Sequence, residues 1–321
     1  MLLQYGTHLE QISSAASLLQ YDKSNHMKRS LITLLFSFLF GLSDICAAQN
    51  SHSVFPNDTL VVYQAKTIPA IDGEGNDRCW ESVSWQPIDQ PWIPYGNSIG
   101  GDDYSGEYKI LWSKKTNLLY FMVKITDDFF VDGYHYDSDP KKGDFYYNFD
   151  LLEVFIDEDR SGGMHVFDGD GEGAKEWGSC SANAFSYHMI LDCPKENGTA
   201  KKFVACDLAG KSWENYTIAD YADHFGAFAM HKHGNEYLWE FSLKVYDDSY
   251  VDSFKERSLV SLVPDKIMGI SLAYCDNDDQ REVPKTRDNF FGSVAVPEKA
   301  QNDHWKNADL YRVMKLSGKM K

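Results

Sequence analysis

The run Asp168-Gly169-Asp170-Gly171-Glu172-Gly173 sets carboxylates at alternate positions, with glycines where a tight loop needs them. Hard oxygen donors at that spacing suit calcium and look like the first half of a calcium loop. Ser179 stands where the bidentate Glu of an EF-hand would close the loop, and no flanking helices are expected, so this is no EF-hand. Asp157 with Asp159, and Asp276 with Asp278 and Asp279, are further acidic groups of the same kind. A solvated acidic loop is the competing reading of each.

Glu153 stands out for a different reason. It sits beside Val154 and Ile156 in the apolar run 151–157, and a carboxylate buried on such a strand needs a partner, so contact with a ligand or a metal is expected. Trp305 lies in the polar stretch QNDHWKN just before a strand, where an aromatic is less obviously core. Aromatics and carboxylates together fit a sugar: a pyranose offers an apolar C–H face to a flat ring and a rim of hydroxyls to planar acids and amides. Trp80, Trp85, Trp112 and Trp239 read as core.

Other chemistries have no motif here. There is no GxSxG, HExxH, P-loop or paired-cysteine zinc spacing. A glycoside hydrolase would need two carboxylates ~5–9 Å apart, and among 48 Asp and Glu the sequence neither finds nor excludes that pair. Against those 48 acids stand 31 Lys and Arg, a net charge of −17. That balance argues against nucleic acid or an anionic membrane surface, which need clustered cations, and favours a neutral or cationic ligand.

The elements that must position these residues are strands. Tyr237, Trp239, Phe241 and Leu243 fall on one face of a period-two run while Glu240 and Ser242 fall on the other. Similar runs occupy 60–65, 107–112, 118–125, 151–157, 184–191, 225–231, 267–274 and 310–316, separated by loops rich in Gly, Asp, Asn and Pro. Without interleaved amphipathic helices this predicts an all-β chain, an antiparallel β-sandwich (jelly-roll-like) or a barrel, with long loops and at most a short helix, best placed at 249–259.

Lys28 and Arg29, the apolar stretch 31–42 and the small pair Ala47 and Ala48 read as a secretory signal peptide over 27–48. The apolar core is too short to cross a ~30 Å hydrocarbon layer comfortably, and no later segment is apolar enough to span a membrane. Met27 makes 1–26 an upstream extension, and 49–321 is expected to be one domain, exported to the periplasm, cell surface or medium. Cys46 as a lipidation site fits the bacterial lipobox poorly. Five cysteines remain after cleavage, Cys79, Cys180, Cys193, Cys206 and Cys275; one local bridge among the middle three and buried free thiols are both open.

Four segments in order carry a resemblance. They are IDGEGNDRCWESVSW from Ile71, with Asp72, Gly73, Asp77, Trp80 and Trp85; the hairpin EYKILWSKKTNLLYFMVKITDD ending in Asp127 and Asp128; DLLEVFID from Asp150, followed by Asp159 and Ser161-Gly162-Gly163; and GISLAYCD from Gly269, followed by Trp305 and the strand 311–316. Together they resemble the family 9 carbohydrate-binding module, a non-catalytic β-sandwich found beside xylanases and in bacterial polysaccharide-utilisation systems. The resemblance implies a terminal sugar ring held between two aromatics, Tyr147 and Trp305, with Glu153 and Asn302 bonding hydroxyls. Where the family's sugar-binding Arg would be expected this chain offers Ser186 or His188, and the family's Gln lands on Ala273.

The resemblance therefore implies a glycan partner, with ligand residues Tyr147, Glu153, His188, Asn302 and Trp305 and separate glycan-degrading enzymes as partners. Calcium sites in family relatives add to the expectation of structural calcium, held here by Asp157, Asp159, Asp168, Asp170 and Glu172. A glycoside hydrolase, and a structural or adhesive domain whose sugar site is degenerate, are the competing readings.

Overall fold

The period-two runs fold as strands. The computed structural model describes residues 58–94, 103–165, 184–194, 201–212, 214–279 and 286–321. Among them fourteen strands are hydrogen-bonded into one continuous network: β1 (Leu60–Gln64), β2 (Gln86–Pro87), β3 (Gln90–Pro94), β4 (Tyr104–Ser113), β5 (Leu118–Asp127), β6 (Leu151–Asp157), β7 (Phe185–Asp192), β8 (Lys202–Ser212), β9 (Asn215–Asp220), β10 (Phe225–His233), β11 (Glu236–Leu243), β12 (Ile267–Asp276), β13 (Asn289–Gly292) and β14 (Arg312–Met320). The path runs β10-β11-β5-β4-β1-β14-β12-β6-β7-β8-β9.

That path doubles over into a sandwich. Phe121, Trp239 and Phe241 from the β10-β11-β5-β4 half share a core with Leu152, Tyr187, Leu272 and Tyr274 from the β12-β6-β7-β8 half. Rings meet across the two layers: Tyr104 stacks on Tyr274 at 5.5 Å and Tyr187 meets Phe225 edge-on at 5.4 Å. The Tyr274 hydroxyl donates to Asp127 across the same gap at 2.7 Å. Most pairings are antiparallel, as expected, but β1 runs parallel to both β14 and β4 at the point where the path crosses from one layer to the other.

Two expectations need correction. The 249–259 segment forms 3₁₀ turns over Asp252–Arg257, broken by a non-helical Phe254; the α-helix among the described residues is Arg78–Glu81, which buries Cys79 and Trp80. And β11 is not half-buried. Trp239 is 1% exposed in the central core, and Glu240 is 0% exposed because Cys79 and Trp80 pack over the outer face against Tyr120, Met122 and Leu238. Glu240 is satisfied there by the Gly73 N–H at 2.9 Å and the Trp80 indole N–H at 3.2 Å, so the Ile71-Asp72-Gly73 turn is a lid on its carboxylate. Burial pushes the Glu240 carboxyl up from its ordinary value.

The other layer is covered likewise. On β6 the residues Leu152, Val154 and Ile156 face the central core, while Leu151 and Phe155 join a second cluster with Trp92, Tyr134, Phe149 and Tyr311 on the outer face. Gly292 permits this cover: a Cβ there would lie 1.9 Å from the Trp92 ring. The described cysteines Cys79, Cys193, Cys206 and Cys275 are free thiols, and Cys180 lies outside the described residues, as do residues 1–57 with the expected leader.

Candidate functional site

Alternation on three paired strands lays a polar row across the outer face of the second layer. Glu153 faces the same side as Leu151 and Phe155, His188 the same side as Ser186 and Ile190, and the register pairs Glu153 with Ala273 on one side and His188 on the other. His188 in turn is opposite Cys206 on β8. This row is the floor of a cleft of about 360 Å³, within the usual size range of small-molecule sites.

The floor is a chain of contacts. The Arg287 guanidinium lies 3.2 Å from the Cys275 sulfur, the Cys275 thiol donates to Glu153 Oε1 at 3.3 Å, and His188 Nε2 stands 3.6 Å from that same oxygen. His188 Nδ1 is 3.0 Å from the Cys206 carbonyl, so it carries the proton and donates. Burial pushes the Cys275 thiol well above its ordinary value, which keeps it protonated and able to donate. Glu153 and His188 are 1% and 3% exposed. Glu153 Oε2 is buried with no hydrogen-bond partner among the described residues, an arrangement that is costly unless a ligand completes it.

Aromatics form the walls. A 3₁₀ turn over Tyr146–Asn148 sorts the cluster DFYYNFD: Tyr146 and Phe149 turn into the cover, with Tyr146 resting on His188 at 4.5 Å, while Phe145 and Tyr147 stay exposed and stack on each other at 5.5 Å. Trp305 also lines the cleft, edge-on to His188 at 6.3 Å, with its carbonyl held by the Ser186 hydroxyl. The expected residues Tyr147, Glu153, His188 and Trp305 are thus brought together in one cleft. Asn302 belongs to the 3₁₀ segment Glu298–Lys306 that carries Trp305, and its side chain lies outside the described residues.

Sequence reasoning missed Arg287 and Phe145. Arg287 comes from the segment before β13, not from β7, and its guanidinium lies over Phe290 at 4.1 Å and toward Tyr147 at 5.7 Å. It supplies a cation to a cleft that has Ser186 and His188 where the family pattern places its Arg.

The expected metal residues divide. Asp168, Asp170 and Glu172 lie outside the described residues. Asp157 is buried and its two oxygens accept from the Arg160 and Gly162 N–H groups, while Asp159 accepts from Ser161 N–H. Neither joins a group of three ligating side chains among the described residues. Another acidic group is far tighter: Asp127 at the end of β5, Asp150 before β6 and Asp276 at the end of β12 are 1 to 2% exposed and bring carboxylate oxygens within 4.8 Å of one another. Burial above all pushes the three carboxyls up, Asp276 to about 8; repulsion from Asp127 adds to it at Asp150 and Asp276, and repulsion from Asp128 and Asp103 at Asp127.

The model of the family described as "Carbohydrate family 9 binding domain-like" matches residues 71–319, which include the lid turn, every wall of the cleft and all the strands but β1 and the last residue of β14. The chain belongs to that family. Family 9 carbohydrate-binding modules are a non-catalytic family of carbohydrate binders, and residues 71–319 are a domain of that kind. Similar solved structures include a family 9 carbohydrate-binding module from Caldicellulosiruptor kristjanssonii in complex with cellotriose, 17% identical, covering 82% of this chain and 95% of that one with a TM-score of 0.48. Its complex with glucose is similar at 16% identity, with 81% and 96% covered and a TM-score of 0.47. No curated protein matches the chain.

Proposed function

We propose that this is an exported binding protein that captures the ends of poly- or oligosaccharides and presents them to separate degrading enzymes. A terminal ring enters the cleft, its C–H face on Tyr147 or Trp305, and its hydroxyls bond to Glu153, His188, Arg287 and Asn302. The carrying observation is Glu153: a buried carboxylate with an unsatisfied oxygen on the floor of an aromatic-walled cleft. A sugar hydroxyl donates a hydrogen bond to that oxygen, whereas a purely apolar ligand would leave it bare. A cleft of this volume suits one or two rings. The test is a soluble-glycan panel with product analysis alongside: binding of a neutral or amino sugar without turnover supports the reading. Turnover abolished by Glu153→Gln would make it a hydrolase, and no binding at all would favour an adhesive domain with a degenerate site.

We further propose a structural calcium ion, held by Asp127, Asp150 and Asp276. Three buried carboxylates so close cannot all ionise without a cation, and an all-oxygen donor set suits calcium. The ion would tie the ends of β5 and β12 to the residue that leads into β6, the strand that carries Glu153. Chelation followed by thermal melting tests it.

A further inference from the structure

His231 and His233 are two residues apart on β10, so their imidazoles project from the same face of the strand. β10 ends the hydrogen-bonded path, paired to β11 with His231 opposite Leu238 and His233 opposite Glu236, and among the described residues its other side is a sheet edge. Glu74 reaches this face from the turn that lids Glu240. The turn is seated directly on His231: Gly73 has φ +81°, and a Cβ there would lie 3.0 Å from the imidazole Cγ. The Glu74 N–H donates to the Asp72 carboxylate at 3.0 Å, which fixes its backbone. Its own carboxylate lies 2.9 Å from His231 Nδ1. The two imidazole rings are 6.2 Å apart, and one ligating atom from each of the three residues lies within 4.8 Å of the others.

We propose that Glu74, His231 and His233 form a surface site for a zinc-type transition-metal ion, which clamps the Ile71-Asp72-Gly73 turn to the edge strand. A lone exposed Glu–His pair needs one imidazole and contributes little. Here a second imidazole converges on the same carboxylate, and two neutral ring nitrogens with one carboxylate oxygen make up a recurrent zinc donor set that leaves the fourth position to water. Tetrahedral coordination spaces neighbouring donors roughly 3.3 Å apart, which rotation of three exposed side chains reaches from the observed separation. Imidazole donors select zinc, copper or nickel over calcium or magnesium. The site is separate from the cleft and from the buried carboxylates, and stands or falls independently of the glycan reading.

The experiment is calorimetric titration of the chelator-treated full chain with zinc chloride, for the wild type, the double variant His231→Gln/His233→Gln and Glu74→Gln. The expected result is a one-equivalent binding step in the wild type that vanishes in the double variant and weakens about tenfold or more in Glu74→Gln. Zinc should also raise the wild-type melting temperature but not that of the double variant, since an ion bound only by the folded state stabilises it by mass action. Absence of a one-equivalent step, or a step of unchanged affinity in the double variant, overturns the proposal.

Discussion

His188 Nε2 stands 3.6 Å from Glu153 Oε1 across the β6–β7 ladder, two buried groups set opposite each other by strand register alone. The register explains why both reach the cleft: one residue of slip in either strand would turn its whole polar set into the central core. His188 donates from Nδ1 to the Cys206 carbonyl, and the Cys275 thiol donates to Glu153 Oε1. The floor is thereby built to hold a carboxylate with one oxygen spare.

Removing the rim ring tests stacking apart from folding. Tyr147 is 39% exposed, so Tyr147→Ala should leave the melting temperature nearly unchanged while weakening glycan binding roughly tenfold, the worth of one ring contact of about 1.4 kcal/mol. Trp305→Ala should weaken binding at least as much and also lower stability, because Trp305 packs partly against the outer cluster. Calorimetry beside thermal melting separates the two effects.

The lid over Glu240 should be a strong point of the fold. Glu240→Ala leaves the Trp80 indole and the Gly73 N–H without their acceptor in a buried place, at about 1–3 kcal/mol for each group. A loss near 3 kcal/mol in urea unfolding is expected; a loss below about 1 kcal/mol would mean that the turn re-satisfies itself elsewhere.

His304 sets an acid limit. It is fully buried against Trp92 at 4.0 Å, neither ring nitrogen has a hydrogen-bond partner among the described residues, and burial lowers its pKa from 6.5 to about 3. The folded state holds it neutral, so no stability is lost above pH 6.5. As pH falls from 6.5 toward 3 the unfolded chain takes up a proton that the folded chain refuses, and stability drops by up to about 1.4 kcal/mol per pH unit. His304→Phe should flatten that fall, read as urea midpoints at pH 7 and pH 4. His224, also lowered to about 3, keeps part of the slope in the variant. An unchanged difference between the two pH values would contradict the assignment.

Calcium should act through Asp127, Asp150 and Asp276. Exhaustive chelation is expected to lower the melting temperature by several degrees, and added calcium to restore it in the wild type but not in Asp150→Asn. An identical melting curve with and without chelator would remove the ion from the account.

Much of the fold was legible because period-two patterning survives burial: every run read as a strand, from 60–65 to 310–316, is one. Burial on the second face was not legible, since Glu240 and Ser242 look like solvent positions until the 71–81 segment folds over them. The strands β2, β3, β8, β9 and β13 escaped: β2, β3 and β13 are too short to show a period, and β8 and β9 lie in a stretch that mixes polar and apolar residues. Glu153 could be read from its polarity within an apolar strand. Arg287 could not, because it reaches the cleft only through the β12–β13 pairing that sets it beside Cys275. Tyr147 was separable from Tyr146 only by the 3₁₀ turn that faces them in different directions.

The most direct test of the central claim is calorimetric titration of the wild type, Tyr147→Ala and Glu153→Gln with a panel of neutral and amino-sugar oligosaccharides. The account predicts one-to-one binding of at least one glycan by the wild type, weakened in both variants, with the glycan recovered intact. Binding of equal affinity in all three proteins, or no binding across the whole panel, would contradict it.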